Sequence, residues 1–304
     1  MTAGASLILA VSALTLVGAP CARGVAGAVS SWRARGDHAV VAGGWRSTLA
    51  STLLYVLAFN LTFFIQELFL VIPKALTPGL RPTLYHNNHS WQGTNPLAGL
   101  FQGTGALATL IVGLCCLWLL PRSRQRSDGT RLFLYWMAYC GCFMALPQVV
   151  IGSLSPGSDV GMAMSYLRLG ETARVGAGLL ALGLMPVIAW QFRRPALELA
   201  QVGGHMEGPA ARTRFTLRVI TLPALLATVL VVPFRLPREL VEVLGVPMLV
   251  FLGGIPWIQA GAWRIRGVQA SGTSTAPPLA YLFAAVLGLL LIFQFVLRPG
   301  IRFY

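Results

Sequence analysis

Three groups of polar side chains stand out against an apolar background, and each could do chemistry. The first is Glu67, inside the long hydrophobic run that opens Thr48-Leu-Ala-Ser and closes Phe69-Leu-Val-Ile-Pro73. A carboxyl buried in hydrocarbon costs several kcal/mol, so an acid in a span faces protein or a wet cavity and serves as ligand, proton carrier or acid–base group. Asn60 lies seven residues earlier, on the same helix face, and Gln66 is adjacent. The second group is His86 and His89, two of only four histidines, spaced as His-x-x-His in the loop after that run. On a helical turn this spacing would place both rings on one face as a pair of transition-metal ligands. The third is a set of carboxylates that the chain order brings to the same side: Asp159 and Glu171 in a later loop, then Glu239 and Glu242.

Together these residues predict a His/His/carboxylate site. His86 and His89 would bind zinc, or iron if positions stay open, with Glu67 or Asp159 as third ligand. A remaining carboxylate would take the proton of a metal-bound water, which favours hydrolysis of a lipid or peptide. The competing account needs no metal. Lys74, Arg81, Arg168, Arg174, Arg235 and Arg238 fall on the same side and could pair with the acids, as Glu171 with Arg174 three residues on. His38 and His205 lie in basic or glycine-rich loops and read as solvated.

The elements that must hold these groups are transmembrane helices. Only 11% of the 304 residues are charged and 56% are apolar, against about 25% charged in a soluble domain, and the mean hydropathy is +0.70. The apolar runs at 4–20, 47–73, 97–120, 132–154, 173–192, 216–234, 240–263 and 277–297 each approach the roughly 20 residues needed to cross a hydrocarbon slab. The fold class expected is an all-α, polytopic transmembrane bundle of about eight spans, seven if the first is not stable, forming a single domain over 1–304. The first run lacks the positive charge that precedes the core of a secretory signal, so it reads as an uncleaved span.

Orientation follows from charge. Of 23 basic residues, 15 fall in the arginine-rich segments on one side of the alternating spans. The positive-inside rule puts those segments in the cytoplasm, against anionic lipid, and the loops 74–96 and 155–172 outside, in a cytoplasmic (inner) membrane. The net charge of +14 is thereby a membrane feature, and no basic stretch is interleaved with stacking aromatics as nucleic-acid grooves require. The five cysteines, four of them in apolar runs, show no zinc or disulfide spacing.

Several enzyme classes are excluded by absence. Intramembrane zinc proteases need His-Glu-x-x-His on a span, and here Gln66-Glu67-Leu-Phe-Leu has no histidine at either position. Four histidines are too few for a di-iron hydroxylase, and no span holds the histidine that a rhomboid-type serine site needs. Three readings remain: the metal-dependent hydrolase; a transporter or channel-like protein in which Glu67, Asn60 and Gln102 line a polar path; and a non-catalytic assembly subunit bound to a membrane partner or to its own copies.

Overall fold

The structure is a computed structural model that describes residues 2–33, 44–199, 208–238, 240–265 and 278–304. Eight helices are long and apolar enough to span a membrane, and this is a multi-pass membrane protein. They are α1 (Ala3–Arg33), α2 (Trp45–Ala75), α3 (Leu97–Ser123), α4 (Asp128–Leu154), α6 (Glu171–Glu198), α7 (Pro209–Arg235), α8 (Val243–Arg264) and α9 (Leu279–Leu297). A short helix, α5 (Asp159–Tyr166), lies between α4 and α6. Several helices outrun the apolar runs that announce them: α1 continues past Arg23 to Arg33, and α7 starts seven residues before the hydrophobic stretch. Helical hydrogen bonding does not stop where lipid stops, so hydropathy marks the slab and not the helix ends.

Burial decides which helices form the centre. Of their apolar stretches, 72% of α4 and 61% of α2 is buried, against 11% of α1 and of α9. Helix α4 packs on α3, α6, α2 and α8, while α9 leans on α2 and turns Tyr281, Phe283, Leu287 and Phe295 outward. In lipid no hydrophobic force separates a buried from an exposed leucine, so close fit and polar pairing hold the bundle. Both are visible at the centre. Tyr55 of α2 meets Trp136 of α4 edge-on, centroids 4.8 Å apart, and Tyr139 stacks obliquely on Phe143 at 4.6 Å. Trp136 donates to Ser51 Oγ at 3.0 Å, and Ser51 donates in turn to the Val219 carbonyl of α7 at 2.6 Å. Tyr139 donates to the Val250 carbonyl of α8 at 2.7 Å and accepts from the Ile255 amide at 3.0 Å.

Helices α3 and α4 touch backbone to backbone at Gly113 and Gly141. A Cβ on Gly141 would lie 2.6 Å from Gly113 Cα and 2.6 Å from the Thr109 carbonyl oxygen. Small residues that let backbones meet are the commonest membrane packing device.

Beyond α2 the chain leaves helical structure. Strands β1 (Arg81–Leu84) and β2 (His89–Gln92) form an antiparallel hairpin, and β3 (Ile301–Arg302), just after α9, adds to the free edge of β1. The segment with the two histidines is therefore a hairpin turn and not a helical turn. Leu84 pairs with His89, and residues 85–88 reverse the chain between them. The close approach of Gly93 to the Gly79 carbonyl, with Gly93 at φ 108° where a side chain is strained, seals the open end.

Gly141→Val should destabilise the bundle by about 1–3 kcal/mol, as overpacking does. Gly176→Ala, where nothing lies within 4 Å of the added methyl, should leave it intact. Thermal unfolding of both variants in detergent is the check, and equal midpoints would contradict the tight crossing.

Candidate functional site

The site grows out of one face of α2. Asn60, Glu67 and Lys74 recur every seven residues, two turns apart, and all three are buried. Asn60 turns back on its own helix, donating to the Val56 carbonyl at 2.8 Å. Glu67 and Lys74 reach the hairpin instead. Glu67 Oε2 lies 2.9 Å from His89 Nδ1, with both side chains almost fully shielded. Lys74, wholly buried, donates to the Leu70 carbonyl at 2.8 Å and lies 3.3 Å from His89 Nε2. The Trp91 indole covers it, 4.8 Å from Nζ to the ring centroid, and stacks on the His89 ring at 5.8 Å.

Helix α3 supplies the fourth member. Its regular turn breaks at Gln102 and Gly103, which exposes Gln102 to the α2 face: Oε1 is 3.0 Å from His89 Nε2 and 3.4 Å from Lys74 Nζ. Two glycines permit this approach. A Cβ on Gly105 would come within 2.9 Å of Gln66, and one on Gly103 would lie 3.0 Å from Ala163. Thr104 fastens the break by donating to the Phe69 carbonyl at 2.6 Å.

These distances restrict where the protons lie. A carboxylate only accepts, so His89 Nδ1 carries hydrogen and donates to Glu67. At Nε2 two arrangements are self-consistent. In a neutral ring, Nε2 accepts from Lys74, and the Gln102 amide must turn to avoid opposing two lone pairs. In a charged ring, Nε2 donates to Gln102 Oε1, which also accepts from Lys74. The two differ by one proton and a half-turn of an amide whose oxygen and nitrogen are assigned from such networks. In either arrangement both ring nitrogens of His89 keep a partner.

Asp159, first residue of α5, belongs to the same electrostatic field. Burial and the Glu67 carboxylate push its carboxyl up to about 6, against the opposite pull of His89 and Lys74. It lines a half-open cavity of about 480 Å³ with Gln66, Gln148, Phe63, Phe143 and Val250. Gln148 Nε2 donates to Gln66 Oε1 at 2.7 Å, so the polar lining of the cavity reaches the residue next to Glu67.

The remaining sequence candidates are placed elsewhere. His86 is buried, but its Nε2 donates to the Leu236 carbonyl at 3.0 Å, and Asn87 donates to the Arg235 carbonyl at 2.6 Å, so the turn is bolted to the end of α7. Burial above all, with Arg298, Arg238 and Arg235 nearby, lowers the His86 pKa despite the opposing bond to Leu236. Glu171 stands at the start of α6, and Arg174 donates to the Leu169 carbonyl and Ser165 Oγ, so the pairing expected between them is replaced by local backbone contacts. His38, His205 and Glu239 and the side chain of Glu242 lie outside the described residues.

The expectation of a metal bound by His86, His89 and Glu67 meets a different geometry. Among the described residues no three or more His, Cys, Asp or Glu side chains gather as a ligand set. His89 has both ring nitrogens engaged, and an ammonium group occupies the direction from which a cation would approach Nε2.

Sequence reasoning overlooked Lys74 as a site residue and ranked Gln102 below the histidines. The signal for Lys74 was present: it is the one lysine in the chain, two helical turns beyond Glu67. Comparison with protein families, with curated proteins and with solved structures returns no match. The fold and site define a class, a multi-pass membrane protein with a buried ionisable network at one end, and nothing narrower.

Replacing one member of a buried ionic pair strands the other, at about 3–5 kcal/mol. Glu67→Ala and His89→Ala should each cost that much in detergent unfolding, and the double variant should cost less than their sum. Strict additivity would show that the two side chains do not interact. For Asp159, a folded pKa above the unfolded value means that its contribution to stability is full below about pH 4. It is lost as pH rises through about 6. Asp159→Asn should therefore unfold with a midpoint that changes less between pH 4 and pH 7.

Proposed function

We propose that the protein is a proton-coupled carrier of cationic amphiphiles, with Asp159 at the solute site and Glu67–His89 as the proton site. The observation that supports this most is the sharing of one field by a cavity acid and a buried dyad with two proton arrangements. With Glu67 and Lys74 compensating each other, an ionised Asp159 leaves the site one negative charge in excess. One proton or one monovalent cation satisfies that excess, and both cannot do so together. Exclusive occupancy is the physical basis of exchange: entry of the solute favours loss of the proton, and the coupling is reciprocal.

The cavity chemistry supports an amphiphile as solute. Its walls are mostly apolar, with Phe63, Phe143, Met144, Val246, Leu249 and Val250, and its polar lining is Gln66, Gln148, Ser158 and Asp159. Apolar walls with a few convergent polar groups are the ordinary make-up of a small-molecule site. Aromatic faces beside a carboxylate suit an organic cation. The helix break at Gln102–Gly103 resembles the interrupted helices that carry coupling sites in transporters, where irregular backbone is tolerated because it lines a cavity. The hydrolase reading relied on a metal ligand set that does not gather among the described residues.

Tetraphenylphosphonium serves as the probe. It should bind the detergent-purified protein at pH 7.5 and bind at least about tenfold more weakly at pH 5, where a carboxyl near 6 is mostly protonated. In proteoliposomes a pH gradient should drive its accumulation; Asp159→Asn should abolish binding, and Glu67→Gln, which removes the charge that balances Lys74, should weaken binding and uncouple what remains from the gradient. Uptake that is absent, or unchanged in both correctly inserted variants, would discard the carrier reading.

A further inference from the structure

The end of the bundle opposite the hairpin holds a second unusual cation. Arg193, near the last turns of α6, is only 4% exposed. Its guanidinium carbon lies over the Trp190 indole, 3.9 Å from the ring centroid, and Nε donates to the Trp190 carbonyl at 3.3 Å. Nη2 is buried and has no partner. None of the ion pairs among the described residues includes Arg193; Glu198, five residues on, is taken by Arg124 and Arg194, each at 3.1 Å. Its charged neighbours have its own sign, Arg23 and Arg264. Arg23 shares the Trp190 ring at 5.8 Å, and Arg264 lies over Trp263 at 4.8 Å.

A buried guanidinium beside two more is costly unless something negative meets it. The surroundings are nonetheless built to hold it. A Cβ on Gly261 of α8 would strike the Arg193 side chain, 2.6 Å from Nη1. A Cβ on Gly27 of α1 would lie 2.6 Å from the Trp263 ring. Glycine at both positions leaves room for an arginine and a tryptophan that three helices bring together. Trp263 also walls a cavity of about 340 Å³ that runs past Ala260, Pro256, Ile255 and Phe251 to Pro20.

We propose that Arg193, Arg23 and Arg264 bind the phosphate of an anionic phospholipid, whose chain lies in the cavity beside Trp263. Planar guanidinium forks match phosphate oxygens, and a ligand there supplies the acceptor that Nη2 lacks. The lipid source is favoured over a soluble phosphate by two features. Trp190 is 58% exposed on a spanning helix, as interfacial tryptophans are. The adjoining cavity is apolar, which a free anion does not need. This side also carries the arginine-rich segments, which the charge rule assigns to the leaflet where anionic lipid gathers.

Binding of phosphatidylglycerol and of phosphatidylcholine to purified protein in detergent, read by native mass spectrometry and by thermal shift, tests the site. Phosphatidylglycerol should bind at least about tenfold more tightly than phosphatidylcholine, and Arg193→Gln should remove that preference, as loss of a charge-assisted bond implies. Arg122→Gln, which alters a basic side chain bonded to Trp118, should retain it. Should Arg193→Gln fail to fold, the double variant Arg23→Gln/Arg264→Gln, altering less buried groups, should weaken phosphatidylglycerol to a similar degree. A parallel titration with inorganic phosphate separates the sources: protection by phosphate with no lipid preference, lost in the same variants, would overturn the lipid and assign the site to a soluble phosphate. Equal binding of the two lipids, or a preference that survives both variants, would overturn the proposal outright.

Discussion

The hairpin side of this protein depends on one constraint: a carboxylate one to two turns inside a span must be met by protein. Glu67 cannot be solvated from where α2 carries it, and its partner His89 is 22 residues away in a strand. Bringing that strand over the end of α2 requires the chain to reverse at residues 85–88, and the reversal must be pinned. His86 and Asn87 do so through the carbonyls of α7, and β3 at the end of the chain covers the free edge of β1. The break in α3 and the glycines around it then follow, because Gln102 must enter between helices to satisfy the far side of the imidazole. A polar network of this kind is stabilising only when complete, since each half-satisfied member costs more than an apolar replacement would.

The same logic separates the two histidines. In sequence they read as a matched pair; in the fold they divide the work. His89 is enclosed with an acid, an amide and an amine, so both of its ring nitrogens are engaged. His86 faces a backbone carbonyl among arginines that disfavour its charged form, so it acts as a fixed donor. Residues of the same type three positions apart thus differ in chemistry because the hairpin turn sends their side chains to different neighbours.

The limits of sequence reading follow from the range of the forces involved. Eight spans were legible because each is a local property: about 20 apolar residues between charged loops, with no reference to the rest of the chain. Helix ends were less legible, as with α1 running on to Arg33. Glu67 was legible as a site residue because its burial follows from the span that contains it. The hairpin was not, since two four-residue strands are too short for a period-two signal, and β3 pairs with β1 across more than 200 residues. Lys74 was read as a loop cation because it stands at the edge of the apolar run, where lysines usually reach water. Only the tertiary cover of Trp91 and Gln102 makes it fully buried.

The two ends of the bundle answer the problem of buried charge in opposite ways, and the difference bears on what each end can do. At the hairpin end, charges of both signs are confined together and hydrogen-bonded, so the network is self-sufficient and its remaining freedom is the position of a proton. At the other end three arginines are packed on tryptophans, and among the described residues no ion pair includes Arg193, which is the basis of the anion site proposed there. On the carrier reading proposed above, a proton would come and go through the cavity acid Asp159. On the lipid reading proposed above, a phospholipid held by three cations would tie together the helices that carry them. Helices α1, α6 and α8 meet at that anion site, while α2, α3 and α5 meet at the proton site. On the carrier and lipid readings proposed above, protonation would act on α2, α3 and α5, and α8, which carries Val246, Leu249 and Val250 of the cavity as well as Arg264, would join the two sites.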